Sequence, residues 1–240
     1  MRLALSARLV AALSLGGLPA IGQEKDKPVK DKPAKDKPDK DKKDKDKKEP
    51  DKPKPEDPSK AGPDYYPLKE GATWTYQVTG AKVGDTAKAS EKEFTVKVIG
   101  VDKEGVAKLE TKEKDKLIAT EEVQVKKGEV LRVGFAGSKA EPPLCFLKPG
   151  VKDGEKWPFS SKIAGQEVKG EFTRGSAAKV KVGGKEYDTL TATSSEITIE
   201  NQKVKITYWF AKGVGMVKQL VDVGGKTVTI ELKKYDEPKK

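Results

Sequence analysis

Histidine is absent from all 240 residues, and that absence excludes more chemistry than any motif in the chain supplies. Ser-His-Asp and Cys-His catalysis lose their imidazole base, and zinc or haem sites built on imidazole lose their ligand. Cysteine occurs once, as Cys145 between Leu144 and Phe146, so no disulfide can form within the chain, and its apolar flanks point to a buried, inert thiol. After residue 22 no apolar run approaches the ~18 residues of a membrane-crossing helix. No transmembrane segment is therefore expected there.

The first residues form an export signal. Arg2 and Arg8 supply a basic start, and the stretch from Leu9 to Ile21 is apolar apart from Ser14, Gly16, Gly17 and Pro19. It is too short to serve as a spanning helix. Ala20 and Gly22 flank Ile21 at the spacing of a cleavage site that would leave Gln23 as the new N-terminus. No cysteine follows, so no lipid attachment is expected at that point. The expected location is the periplasm or the cell exterior, and the expected organisation is a signal peptide at 1–22, a linker at 23–63 and one domain at 64–240.

The linker is built from Lys, Asp, Glu and Pro in units such as Lys35-Asp36-Lys37-Pro38, with 15 lysines against 12 acidic residues. It has almost nothing to bury, and an ordering cost of about 1–2 kcal/mol per residue has no apolar offset, so it reads as a disordered, near-balanced polyampholyte. Its eight prolines block a long helix. The net charge of +11 invites a nucleic-acid reading. From Asp64 onward, however, 32 basic residues are interleaved with 26 acidic ones, whereas phosphate binding needs clustered positive charge. No nucleic-acid partner is expected.

Period-two alternation with glycine breaks runs through the domain, which predicts an all-β fold: a curved antiparallel meander or half-barrel. Trp74, Tyr76 and Val78 share one strand face, as do Phe94, Val96 and Val98. The apolar phase then switches to Ile99 and Val101 across Gly100, as a bulge would make it do. Further strands are expected at 105–112, 117–125, 129–135, 167–173, 177–182, 203–210, 216–223 and 226–235. Gly183-Gly184 and Gly224-Gly225 predict two-residue hairpins. An echo between Pro67–Tyr76 and Leu147–Phe159, each leading from Leu-Lys through glycine to tryptophan, is consistent with two related halves that split near Ser138.

Four segments recur together in exported bacterial proteins: YYPLKEGATWTY (Tyr65–Tyr76), EYDTLTAT (Glu186–Thr193), TYWFAKGVGMVKQ (Thr207–Gln219) and ELKKY (Glu231–Tyr235). In these the chain resembles the DUF3108-like family, a domain of unknown function, and more loosely the lipoprotein-carrier half-barrels. The commoner form of the third segment has proline where Lys212 stands. The resemblance implies a curved antiparallel sheet, exported, with no established chemistry and no catalytic residues to carry over.

Other motifs do not survive inspection. Gly225-Lys226-Thr227 mimics the end of a phosphate-binding loop, but Leu220 stands where the earlier glycine belongs. Ser176 and Lys179 have S-x-x-K spacing within strand-like alternation, which turns the two side chains apart. Glu121 and Glu122 are neighbours on a strand and so face opposite ways, and no calcium-loop spacing occurs. No catalytic residue, cofactor or metal site is assigned. The aromatics offer the functional hint: Trp209 should point away from Tyr208 and Phe210, and with Trp74, Trp157 and Tyr66 it is the candidate contact for a ligand or partner. The resulting expectation is a non-enzymatic exported β-domain that binds an apolar ligand or a protein partner in the cell envelope. The alternatives are a carboxylate-dependent polysaccharide hydrolase and a structural surface protein.

Overall fold

The computed structural model describes residues 65–80, 92–199 and 202–238. The expected signal peptide and linker lie outside the described residues. The strands are β1 (Thr73–Gly80), β2 (Lys92–Val101), β3 (Val106–Glu113), β4 (Lys116–Lys126), β5 (Glu129–Phe135), β6 (Ser138–Leu147) and β7 (Lys156–Ile163). They continue as β8 (Gln166–Val182), β9 (Lys185–Ser194), β10 (Ile197–Ile199), β11 (Gln202–Ala211), β12 (Gly215–Val223) and β13 (Lys226–Asp236).

All pairings are antiparallel. β1 to β9 pair in sequence, β11 to β13 do the same, β13 returns to β1, and β9 pairs with β11. The short β10 prolongs β9 past Ser195 and Glu196, since Thr198 lies between Lys169 of β8 and Lys203 of β11. The sheet is therefore a closed 12-strand barrel. This corrects the expected half-barrel. Alternation along a strand is the same in an open and a closed sheet; closure is decided by which strands pair, and β1 with β13 and β9 with β11 supply it. Ser138, the expected boundary between halves, is the first residue of β6 in the continuous ring.

Local sequence explains much of the detail. The register slips between Val98 and Gly100, which is the bulge that the switch in apolar phase predicts. The strands expected at 167–173 and 177–182 are one strand, β8, joined through an irregularity between Gly175 and Ala178. Five two-residue turns have positive φ at both positions: Lys127-Gly128, Ala136-Gly137, Ala164-Gly165, Gly183-Gly184 and Gly224-Gly225. This is the primed geometry that matches strand twist.

β7 buries alternate residues over its whole length, Trp157, Phe159, Ser161 and Ile163 inward and Lys156, Pro158, Ser160 and Lys162 outward. The inward residues of opposite walls touch, so the lumen is filled. Phe146 on β6 lies 6.1 Å from Tyr208 and 6.2 Å from Phe210 on β11, and Phe172 on β8 lies 6.1 Å from Tyr208, measured between ring centroids. Charged side chains occupy the outward positions, the reverse of the apolar exterior of a membrane-spanning barrel. Among the described residues no helix is long and apolar enough to cross a membrane.

The strap at residues 65–72 plugs one end of the barrel. Tyr66 enters the lumen, stacked on Trp74 and edge-on to Phe146 and Phe210. At the same end the β8–β9 hairpin overhangs β11 and reaches β13. Gly183, with φ +55°, sits so close that a Cβ there would lie 2.9 Å from the Leu232 carbonyl oxygen.

The barrel wall has one irregular seam. β6 and β7 share a ladder only at Ala140–Ile163 and Glu141–Lys162. Pro142 and Pro143 follow on β6 and Pro158 lies on β7, none of which has an N–H to donate. Side chains replace the ladder: Ser161 Oγ donates to the Pro142 carbonyl at 2.7 Å, and Trp157 Nε1 to the Cys145 carbonyl at 3.1 Å.

Candidate functional site

Two polar features stand out against this core, one inside the barrel and one on its outer face. They begin at adjacent residues. Glu121 and Glu122 face opposite sides of β4, as their spacing predicts: Glu121 is buried in the lumen and Glu122 is exposed.

Inside, Glu121 accepts a hydrogen bond from Arg132 Nε of β5, and both side chains are buried. The guanidinium carbon lies 5.5 Å from the centroid of the Phe146 ring. Burial opposes the charge on Arg132, but the Glu121 carboxylate and its hydrogen bond overcome that and raise the pKa of the guanidinium above its ordinary value. Burial also pushes the Tyr208 hydroxyl up to about 12, against the opposing pull of Arg132. Tyr66 and Tyr76 are raised as well, by burial first and the Glu121 charge second. Tyr76 donates its hydroxyl to the Met216 carbonyl at 2.9 Å. The cluster cross-braces the lumen and faces protein on all sides.

Outside, five strands contribute to a surface groove of about 700 Å³. Its axis is a row of directly opposed residues, Gly100 of β2, Lys108 of β3, Glu122 of β4, Gly134 of β5 and Lys139 of β6. Two of the five are glycines: the surface is open at Gly100, and at Gly134 the Glu122 side chain covers it. A Cβ on Gly100 would meet nothing within 4 Å, and one on Gly134 would lie 2.6 Å from Glu122 Oε2, because that carboxylate lies across the glycine. Val101, Val106, Val133 and Pro143 add an apolar lining, and Asp102, Glu104 and Lys126 complete the charged rim.

The rim carries three lysines and three carboxylates, and none of the six forms an ion pair with another described residue. Lys108 and Glu122 are cross-strand neighbours, yet Glu122 turns toward Gly134 instead. Elsewhere on the outer face some charges are paired, as in Lys218–Glu231 at 2.8 Å and Lys156–Glu171 at 3.0 Å, and others, such as Lys97, Lys162 and Lys181, form no ion pair with another described residue. Asp102 has a local role, accepting from the backbone N–H groups of Glu104 and Val106 in the β2–β3 turn.

The four aromatic candidates separate. Trp74, Trp157 and Tyr66 are buried in the core, at 2%, 4% and 4% exposure. Trp74 Nε1 donates to the Val214 carbonyl and Trp157 bridges the β6–β7 seam. Trp209 is half-buried on the outer face of β11, with Lys218 Nζ 5.9 Å from its ring centroid. The groove was not visible in the sequence because its residues come from five strands; the usable signal was a pair of glycines inside strands, Gly100 and Gly134. Cys145 is partly buried, and burial first, then the Glu129 charge, pushes its thiol up to about 12. Among the described residues no group of three or more Cys, Asp or Glu is placed to hold a metal ion.

No family model matches the chain, and no curated protein matches it. The DUF3108-like resemblance therefore rests on its four segments. The fold is similar to two solved structures. One is a candidate lipoprotein from Parabacteroides distasonis, with a TM-score of 0.50 and 9% identity, over 72% of this chain and 98% of that one. The other is a candidate exported protein with a YmcC-like fold from Bacteroides fragilis, with a TM-score of 0.51 and 10% identity, over 72% of this chain and 99% of that one. At such identities the likeness is one of fold.

Proposed function

We propose that this chain is an exported, non-enzymatic β-barrel of the cell envelope that binds a protein partner of mixed charge in the outer groove spanning β2 to β6. The reading joins the signal peptide at 1–22 and the linker at 23–63 to the barrel, and it keeps the DUF3108-like resemblance as its family. The observation that carries it is the groove itself: six charged side chains of both signs, none paired with another described residue, around a partly apolar depression that is open at Gly100. The filled lumen favours a partner on the surface over an apolar ligand inside. Trp209, on the far side of the ring, is a second contact in this proposal.

The test is capture of partners from native envelope material by the mature chain and by a Lys108→Glu/Lys139→Glu variant, with lipid extraction of the same samples. A protein enriched by the native chain and lost from the variant is the expected result. Equal capture by both chains, or a stoichiometric co-purifying lipid, overturns the groove reading.

A further inference from the structure

Only four of the 49 basic residues are arginine, and two of these, Arg2 and Arg8, belong to the expected signal peptide. The chain after residue 22 therefore carries two arginines, Arg132 and Arg174, and both are buried inside the barrel, at 2% and 7% exposure. Every other basic side chain among the described residues is a lysine. A guanidinium differs from an ammonium in staying charged at any working pH and in presenting a planar fork that fits two oxygens at once. A buried arginine is rarely left without such a partner.

Arg132 has its partner in Glu121, buried beside it. One donor, Nη1, is left over, but the charge is met by that carboxylate and by the face of the Phe146 ring. Arg174 is placed differently. It follows Phe172 on the inward side of β8, opposite Ala192 of β9. The turn before β7 clamps its backbone: Arg174 N–H donates to the Glu155 carbonyl at 2.8 Å, and Gly154 N–H donates to the Arg174 carbonyl at 2.7 Å. Its Nη1 donates to the Gly175 carbonyl and lies 3.5 Å from Asp153 Oδ1, a carboxylate whose side chain is 53% exposed. At that distance and exposure water screens the pair, which contributes little. Nε is sealed from solvent with no hydrogen-bond partner, and Nη2 donates to no described residue. Burial outweighs the help of Asp153 and Tyr65 and holds this guanidinium below its ordinary value, whereas Glu121 reverses that balance at Arg132.

The edge formed by Nε and Nη2 takes a carboxylate or phosphate through two parallel hydrogen bonds. At Arg174 that edge is unfilled. Tyr65, the first residue of the strap, lies within electrostatic reach of it and has a hydroxyl that donates to no described residue. We propose that Arg174 is an anion-binding site at the strap end of the barrel, which takes the paired oxygens of a carboxylate or phosphate group on its Nε and Nη2, with the Tyr65 hydroxyl as a further donor. The approach runs through the exposed turn at Lys152–Glu155, where the Asp153 side chain swings aside to admit the anion. Asp153 repels the incoming charge, so it sets a weak affinity and tunes it. The site is separate from the β2–β6 groove and does not depend on the reading of that groove.

The experiment uses the full mature chain. Its arginine side-chain ¹⁵N–¹H spectrum contains two Nε–H signals, one for each arginine, and Asp153→Asn identifies that of Arg174 by moving it. Sodium phosphate and sodium acetate are titrated separately against sodium chloride of equal ionic strength. A saturable shift of the Arg174 signal is expected, half complete at about 1–10 mM, with the Arg132 signal unmoved. The anion that gives the tighter curve assigns the ligand class. Asp153→Asn keeps the fork and removes the opposing charge, so it should tighten binding about threefold or more. The melting temperature of the native chain should rise as the anion binds, and this rise should vanish in Arg174→Lys. A shift that never saturates, or that chloride reproduces, means an adventitious ion only and overturns the proposal. Equal movement of both arginine signals, or an affinity unchanged in Asp153→Asn, overturns it as well, whether or not Arg174→Lys folds.

Discussion

Arg132 and Glu121 form an ion pair across the β4–β5 ladder inside the barrel, with side-chain exposures of 2% and 5%. A buried pair of this kind contributes little net stability against an apolar replacement, yet removing one partner strands the other charge in the core. Arg132→Met or Glu121→Gln alone is expected to cost about 3–5 kcal/mol, and the double replacement with Met at both sites far less than the sum. Urea unfolding of the three variants measures this. Single-variant losses below ~1 kcal/mol would show that the pair is solvated on the time average.

The buried tyrosines give a defined alkaline limit. The hydroxyl of Tyr208 is raised from 10.0 to about 12 on folding, and those of Tyr66 and Tyr76 are raised with it. A raised folded pKa means that the native state holds its proton more tightly than the unfolded state. The stability from these groups is complete below the unfolded value and is lost as pH rises through the folded one. Stability should therefore fall from about pH 10 upward, and these three phenols should ionise only as the barrel opens. Absorbance at 295 nm, recorded beside far-ultraviolet circular dichroism, checks it; full phenolate formation in an intact barrel would contradict it.

At the β6–β7 seam, two side chains do what a backbone ladder does elsewhere. Ser161→Ala leaves the Pro142 carbonyl without its donor, and Trp157→Phe does the same to Cys145. Each should cost about 1–3 kcal/mol, the penalty of a buried acceptor left unsatisfied. Amide exchange in β6 and β7 should accelerate more than exchange in β12 and β13. Uniform acceleration around the ring would mean that the seam opens only with global unfolding.

Two glycine substitutions separate space from backbone. Gly134→Ala places a methyl against the free end of the Glu122 side chain, which can swing toward Lys108, so a cost below ~1 kcal/mol is expected. Gly183→Ala combines φ +55° with a backbone carbonyl 2.9 Å from the new Cβ, and neither can move away cheaply. It should cost about 1–2 kcal/mol more than the first and loosen the β8–β9 hairpin from β13. Thermal melts of both variants decide the order.

Some strands were plain in the sequence and others were hidden for identifiable reasons. In β11, Val204, Ile206, Tyr208 and Phe210 alternate with polar residues and are buried as expected. β6 escaped because Pro142 and Pro143 depress its strand signal, and of β7 only the start at Trp157 was legible, since Pro158 follows; a strand with prolines survives where side chains such as Ser161 and Trp157 take over the pairing. Turns led by Lys127, Ala136 and Ala164 were equally hard to read, since only their second residue is glycine. Trp74, Trp157 and Trp209 are equivalent as letters; burial of the first two follows from strand partners far along the chain.

By itself the sequence determined an antiparallel all-β chain, the bulge at Gly100, the hairpins at Gly183-Gly184 and Gly224-Gly225, the opposed directions of Glu121 and Glu122, and the exclusion of imidazole chemistry. These are local properties, set by a period of two and by the φ a residue can adopt. Only the tertiary structure decided that the ring closes, that Arg132 meets Glu121 and Phe146 in a filled lumen, and that Gly100, Lys108, Glu122, Gly134 and Lys139 fall into one row. Each of these depends on register between strands, and register is fixed by the summed packing of the whole barrel, so no short stretch of sequence contains it.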